Sequence, residues 1–296
     1  MKAIAKKLYP FESKFMDLGG HRLHYVDEGS GDVVVAVHGN PTWSFYYREL
    51  IKDLRRDHRV LAPDHMGMGL SDRPDEESYT YSLERRVADF ETFMDRLELD
   101  DVNLVVHDWG GAIGCAWAGR NPERVKSLVI LNTGAFHLPP SKPLPWQLWF
   151  VRNTPLGSVA VRGLNGFARG ATRLACTRRP IPKEIRDAYC APYDSWENRR
   201  AVLRFVEDIP LKPGDRGFDL VTEISENLPK LADKPILICW GDKDFVFDHH
   251  FLDEFVRIFP SAEVQRYADG GHYILEDYGD EIVPLIRDFV TRSATS

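Results

Sequence analysis

Dense apolar runs alternate with longer stretches in which apolar residues recur every three or four positions. Val33–Val37, Val102–Val106, Val125–Leu131 and Pro235–Cys239 carry few or no charges, the pattern of strands buried on both faces. Arg22–Val26, Val60–Ala62 and Glu263–Tyr267 read as further strands. Ser82–Leu97 reads as an amphipathic helix, and Gly110–Ala118 reads as helical. Near the end, Ile282, Leu285, Ile286, Phe289 and Val290 fall on one helical face. Alternation of this kind predicts an α/β chain with a mostly parallel sheet and helices on both sides.

The rhythm stops between Gly134 and Asp233, where no strand pattern is visible. This stretch opens with the proline-rich, aromatic Pro139–Phe150 and continues in helical patterns. We therefore divide the chain into a core of 1–133 and 234–296 and an inserted helical cap, 134–233. The cap is expected over the carboxyl ends of the strands, where open α/β sheets hold ligands. Burying Trp146, Trp149 and Phe150 is part of that expectation.

Composition narrows the partners. The 296 residues carry a formal charge of −7 and are 43% hydrophobic. A sizeable core can be buried, and the acidic balance disfavours nucleic acid as a partner. No run approaches the length of a membrane helix, and Met1–Tyr9 lacks the apolar stretch of a signal peptide. The four cysteines, Cys115, Cys176, Cys190 and Cys239, form no CxxC pair. They read as reduced thiols in a cytoplasmic protein. Homo-oligomerisation stays open.

Chemistry concentrates where strands turn into loops. Val106-His107-Asp108-Trp109-Gly110-Gly111 follows a buried strand and precedes a helix, the setting of a nucleophile elbow, with Asp108 at its tip. A helix N-terminus favours an anion there, so Asp108 is expected to be an ionised nucleophile. His38-Gly39-Asn40-Pro41 follows another strand. Asn40 and Trp109 are the expected anion donors, through backbone N–H groups, the amide and the indole N–H. His272, in Gly270-Gly271-His272-Tyr273, is the candidate base. Asp244 is its candidate orienting acid, with Asp242 as runner-up. Asn132 fills the other position where such an acid could stand, and an amide cannot serve as one. His249-His250 could suggest a metal, but adjacent histidines on a helix are expected to point apart, so no metal site is assigned.

Together these motifs, with Asp64-His65-Met66-Gly67-Met68-Gly69-Leu70-Ser71-Asp72, resemble the haloalkane dehalogenases of the α/β-hydrolase fold from about Phe15 to Val290. The resemblance is to a subgroup with an Asp-His-Asp triad and an Asn-Trp halide pair. It lies close to the β-lactone decarboxylases of olefin biosynthesis. Pro192-Tyr193-Asp194-Ser195-Trp196 and Arg204-Phe205-Val206-Glu207-Asp208-Ile209-Pro210 strengthen the closer likeness.

The resemblance implies a catalytic triad of Asp108, His272 and Asp244, halide binding by Asn40 and Trp109, and no cofactor. The expected reaction is hydrolytic cleavage of a carbon–halogen bond through an alkyl ester on Asp108, with a small hydrophobic haloalkane as substrate and halide as product. The alternative is decarboxylation of a cis-β-lactone by the same nucleophile. Two readings rank lower. An epoxide hydrolase would need proton-donating cap tyrosines, for which Tyr189 and Tyr193 are the candidates. A non-catalytic binding protein would not need the filled triad.

Overall fold

The apolar runs become the centre of one eight-stranded sheet, ordered β1-β2-β4-β3-β5-β6-β7-β8. The computed structural model describes residues 6–293, so the first part of the Met1–Tyr9 stretch lies outside the described residues. The strands are β1 (Lys14–Asp17), β2 (Arg22–Glu28), β3 (Asp32–Val37), β4 (His58–Pro63), β5 (Val102–Asp108), β6 (Val125–Thr133), β7 (Ile236–Gly241) and β8 (Glu263–Tyr267). The β1–β2 and β2–β4 pairs are antiparallel. The pairs from β4–β3 to β7–β8 are parallel.

β1 was not expected from the sequence. It is a four-residue edge strand in which only Met16 is buried, so it shows little of the alternation that announces a strand. β5 is buried along its whole length. Its one polar residue before the elbow motif is satisfied: the Asn103 amide donates to the Val33 carbonyl and its oxygen accepts from Ser127.

Helices α1 (Arg48–Leu54) and α11 (Ile274–Ser293) bury residues such as Leu50 and Phe289 in one core. Helices α2 (Leu83–Arg96), α3 (Trp109–Arg120) and α10 (His249–Ile258) pack residues such as Phe90, Trp117 and Phe255 into a second. Ser82 caps α2 by accepting from the Arg85 N–H, which fixes the helix start where the sequence places it.

Between β6 and β7 lie only helices: α4 (Trp146–Asn153), α5 (Pro155–Ser158), a π-turn (Val159–Gly163), α6 (Gly166–Leu174), α7 (Lys183–Cys190), α8 (Arg200–Glu207), α9 (Phe218–Asn227) and short 3-10 turns. In α4 the inner positions are Leu148 and Val151. The expected burial of the tryptophans does not occur: Trp146 is 73% exposed and Trp149 55%, and only Phe150 is partly covered. No described helix is long and apolar enough to cross a membrane.

Candidate active site

β5 ends at Asp108, whose φ of 52° places a non-glycine residue in left-handed space between strand and helix. That geometry aims the carboxylate off the end of the sheet. It works only because the neighbours are small. A Cβ on Gly39 would strike the Asp108 carboxylate, one on Gly110 the Val37 carbonyl, and one on Gly111 the Thr133 hydroxyl. Thr133 donates its hydroxyl proton to the Asp108 carbonyl, tying β6 to the elbow.

The structure brings the five candidate residues to one place. Asp108 Oδ1 accepts from the Asn40 backbone N–H at 2.6 Å, and Oδ2 lies 3.5 Å from His272 Nε2. On the other side of the imidazole, His272 Nδ1 donates to Asp244 Oδ2 at 2.7 Å. Asp108, Asp244 and His272 are all buried. Burial alone pushes the Asp108 carboxyl up, but the hydrogen bond and charge of His272 hold it below its ordinary value. Burial pushes His272 down, yet the charges of Asp244 and Asp108 on either side outweigh it and raise the imidazole to about 10. The carboxyl groups on either side of His272 thus favour the protonated form of its imidazole in the resting site.

Asn40 differs from expectation in detail. One N–H of its amide is engaged by the Val202 carbonyl of α8 at 3.1 Å, while its side-chain oxygen is buried without a partner. Its backbone N–H already faces Asp108. The indole N–H of Trp109 makes no hydrogen bond to the described residues, and the ring packs against Phe205 of α8 at 5.4 Å. Both residues line a cavity of about 150 Å³ together with Asp108 and His272. Its remaining walls are almost entirely apolar and come from both core and inserted helices: Phe136, Leu138, Leu144, Leu148, Val206, Ile209, Val221, Val246, Phe247 and Phe251 among them. Trp146 and Trp149 are not among the lining residues.

The runner-up acid does not reach the histidine. Asp242 is paired with Arg266 near the surface. Neither proposed cap tyrosine lines the cavity. Tyr189 donates to Glu276, and Tyr193 to the Thr42 carbonyl. The rings of His249 and His250 lie 4.1 Å apart, so the expectation that they point apart fails. Asp248 joins them, all three offering ligand atoms within 4.8 Å of one another. Asp248 is already occupied by the Lys142 ammonium at 2.7 Å and by His250, and that ammonium repels a cation.

Several supporting residues escaped the sequence reading. Asn132 donates to Asp244 Oδ2 at 3.1 Å and accepts from the Gly241 N–H, so an amide that cannot itself be the acid steadies the carboxylate bonded to His272. His107 Nε2 donates to the His272 carbonyl at 2.8 Å. Burial and the neighbouring His272 push His107 down to about 3, which keeps it neutral. His38 donates from Nδ1 to the Gly39 carbonyl and accepts at Nε2 from the His65 N–H, setting the loop that carries Asn40. The two histidines adjoin Asp108 and the Asn40 loop in sequence, which is their signal. Asn132 gave none.

Residues 32–278 match the alpha/beta hydrolase fold family. The chain is 54% identical over 289 residues to a cis-3-alkyl-4-alkyloxetan-2-one decarboxylase of Shewanella oneidensis, covering 97% of this chain and 91% of that one. It is 33% identical to haloalkane dehalogenase 2 of Mycobacterium bovis, covering 95% of each. The crystal structure of the haloalkane dehalogenase DatA from Agrobacterium tumefaciens C58 superposes with a TM-score of 0.84 at 26% identity, over 95% of this chain and 97% of that one. The chain thus belongs to the alpha/beta hydrolase fold family of enzymes, within the group that holds these decarboxylases and dehalogenases.

Proposed function

We propose that the protein decarboxylates cis-3-alkyl-4-alkyl β-lactones, with Asp108 as nucleophile. The observation that carries this reading is the 54% identity to a decarboxylase of such lactones along nearly the whole chain, against 33% for a dehalogenase. It reverses the order that the motifs alone suggest. The filled triad and the apolar cavity support an enzyme over a binding protein.

Asp108 attacks the sp³ ring carbon that bears the ring oxygen and an alkyl chain, not the carbonyl carbon. That carbon–oxygen bond breaks, and the freed carboxylate takes its charge to the Trp109 indole N–H and the remaining amide N–H of Asn40. Preorganised donors of this kind contribute roughly 3 kcal/mol each in comparable oxyanion sites. The carbon–carbon bond to the carboxylate then breaks, and its electron pair forms the alkene. The Asp108 ester oxygen leaves as the electrons move, and carbon dioxide departs. Lactone becomes alkene and carbon dioxide with Asp108 restored, and no water is consumed. His272, held cationic, keeps a positive N–H facing Asp108 Oδ2, which eases departure of the carboxylate.

Haloalkane hydrolysis is the second reading, favoured by the unpaired indole beside Asp108 and by the likeness to DatA. Halide leaves, and water splits the Asp108 ester with His272 as base. Esterification removes one of the two negative charges beside His272, so its grip on the proton falls when a base is needed.

Purified protein is given a cis-3-alkyl-4-alkyl β-lactone or a 1-bromoalkane of matched chain length. We expect alkene and carbon dioxide from the lactone, faster than bromide from the haloalkane, and neither product from Asp108→Asn. Bromide release without any alkene would transfer the assignment to the second reading. His272→Phe with bromoalkane is expected to accumulate an alkyl adduct on Asp108, read by intact mass.

A further inference from the structure

Residues 134–182 contain seven lysines and arginines and no aspartate or glutamate, in a chain of net charge −7. Lys142, Arg152, Arg178 and Arg179 are paired with Asp248, Asp215, Glu281 and Asp280. Arg162, Arg169 and Arg173 are not. Among the described residues these three, with Arg186, Arg199 and Arg200, meet no carboxylate within ion-pair distance. Arg162, Arg173, Arg199 and Arg200 donate to backbone carbonyls instead. Arg169, Arg173, Arg186 and Arg199 line an open groove of about 350 Å³ between α6 and α7, with Lys183, Asp187 and Asp194 also on its walls. Lys183 and Asp187 pair with each other at 2.5 Å, and the four arginines against Asp194 leave an excess of positive charge that suits an anion.

The same stretch of chain also exposes large apolar side chains. Trp146 and Trp149 stand one turn apart on the outer face of α4, opposite Leu148 and Val151. Leu156, Val159 and Leu164 follow, exposed by 68%, 50% and 68%. Trp196 joins them: a Cβ at Gly163 would lie 3.7 Å from both Trp196 and Val159. The Arg162 guanidinium stacks over the Trp196 ring at 4.5 Å, so basic and apolar features meet. α4, α5, the π-turn and α6 pack in sequence against one another, so these exposed side chains stand on neighbouring elements.

We propose that this face docks on an anionic phospholipid bilayer. The indoles and leucines enter the boundary between headgroups and acyl chains, where tryptophan is favoured, and the arginines hold lipid phosphates. An acidic protein would satisfy the arginines but not call for indoles standing in water. The same α4 that presents them lines the catalytic cavity with Leu148, and Leu144 and Pro145 just before it do likewise. The bilayer face and the apolar cavity are thus two sides of one helix.

Sedimentation with vesicles of phosphatidylcholine, or of phosphatidylcholine with one quarter phosphatidylglycerol, tests this without reference to catalysis. At low salt the protein is expected to bind the anionic vesicles at least about tenfold more tightly, and to be released by high salt. Arg169→Glu/Arg173→Glu and Trp146→Ser/Trp149→Ser, all at exposed positions, are each expected to lower that binding by about tenfold. Equal binding to both vesicles, or wild-type binding by both variants, would overturn the proposal. So would retention on immobilised poly-glutamate with no vesicle binding, which would assign the arginines to an acidic protein.

Discussion

Asp244 Oδ2 receives two donors at once, the His272 Nδ1–H and the Asn132 amide. Its Oδ1 accepts from the Val246 N–H, so the carboxylate cannot rotate freely. Its charge is the largest influence holding the imidazole up against burial. Replacing Asp244 by Asn keeps the shape and removes the charge. The His272 imidazole should then titrate about 1–3 units lower, read by NMR of its ring protons. An unchanged titration would mean that Asp108 alone holds the proton. At this scale the sequence announces what is local. The Asp108 elbow is legible because strand, turn glycines and helix adjoin within a few residues. Asn132 is illegible because its meaning depends on a loop more than a hundred residues away. The order Asp108, Asp244, His272 could be read only because each candidate follows its own strand.

Helix α8 joins the inserted helices to the site. Its Val202 carbonyl holds the Asn40 amide, and Val206 lines the cavity. Asp208, just past its end, accepts from the Leu83 N–H at the start of α2 and lies 3.8 Å from Arg86. Arg86 is fully buried, its nitrogens have no hydrogen-bond partner, and its guanidinium stacks on Phe205 at 3.6 Å. Burial lowers Arg86 and raises Asp208; Asp208 also accepts from Arg216 at 2.6 Å, so the buried Arg86 is the partner that depends on the other. Asp208→Asn keeps an acceptor for Leu83 and strands the cation. A loss of about 3 kcal/mol in urea unfolding is expected, partly recovered by adding Arg86→Met. No recovery in the double variant would show that the charge was not the cause. The helical pattern of the insertion was legible; the outward turn of Trp146 and Trp149 was not. A tryptophan on a helix reads as core unless a partner outside the chain is considered.

Across the whole molecule, the parallel centre of the sheet is the most legible feature, because β3, β5, β6 and β7 are buried on both faces over most of their length and are mostly apolar there. The edge strand β1 is the least. The charges buried around that sheet set how stability should vary with pH. Asp64 is held by His24 at 2.8 Å and by the Ser44 and Leu70 N–H groups. Burial pushes it up, but His24 and His38 bring it down to about 2. Its folded value lies below the unfolded one, so its contribution is present above about pH 4 and fades as pH falls through 2, a loss of roughly 2–3 kcal/mol. His272 behaves oppositely. Its folded value of about 10 lies above the unfolded 6.5 or so, so its contribution is complete below about pH 6.5 and disappears as pH rises through 10. Stability should therefore form a plateau between about pH 4 and 6.5 and decline on both sides. Denaturant midpoints measured across pH would check this. Asp64→Asn should flatten the acid limb and His272→Phe the alkaline limb, each at a lower overall level. If His272→Phe kept the wild-type alkaline slope, the doubly flanked imidazolium would not exist in the resting enzyme. The lactone route would then lose the cation that eases the departure of Asp108.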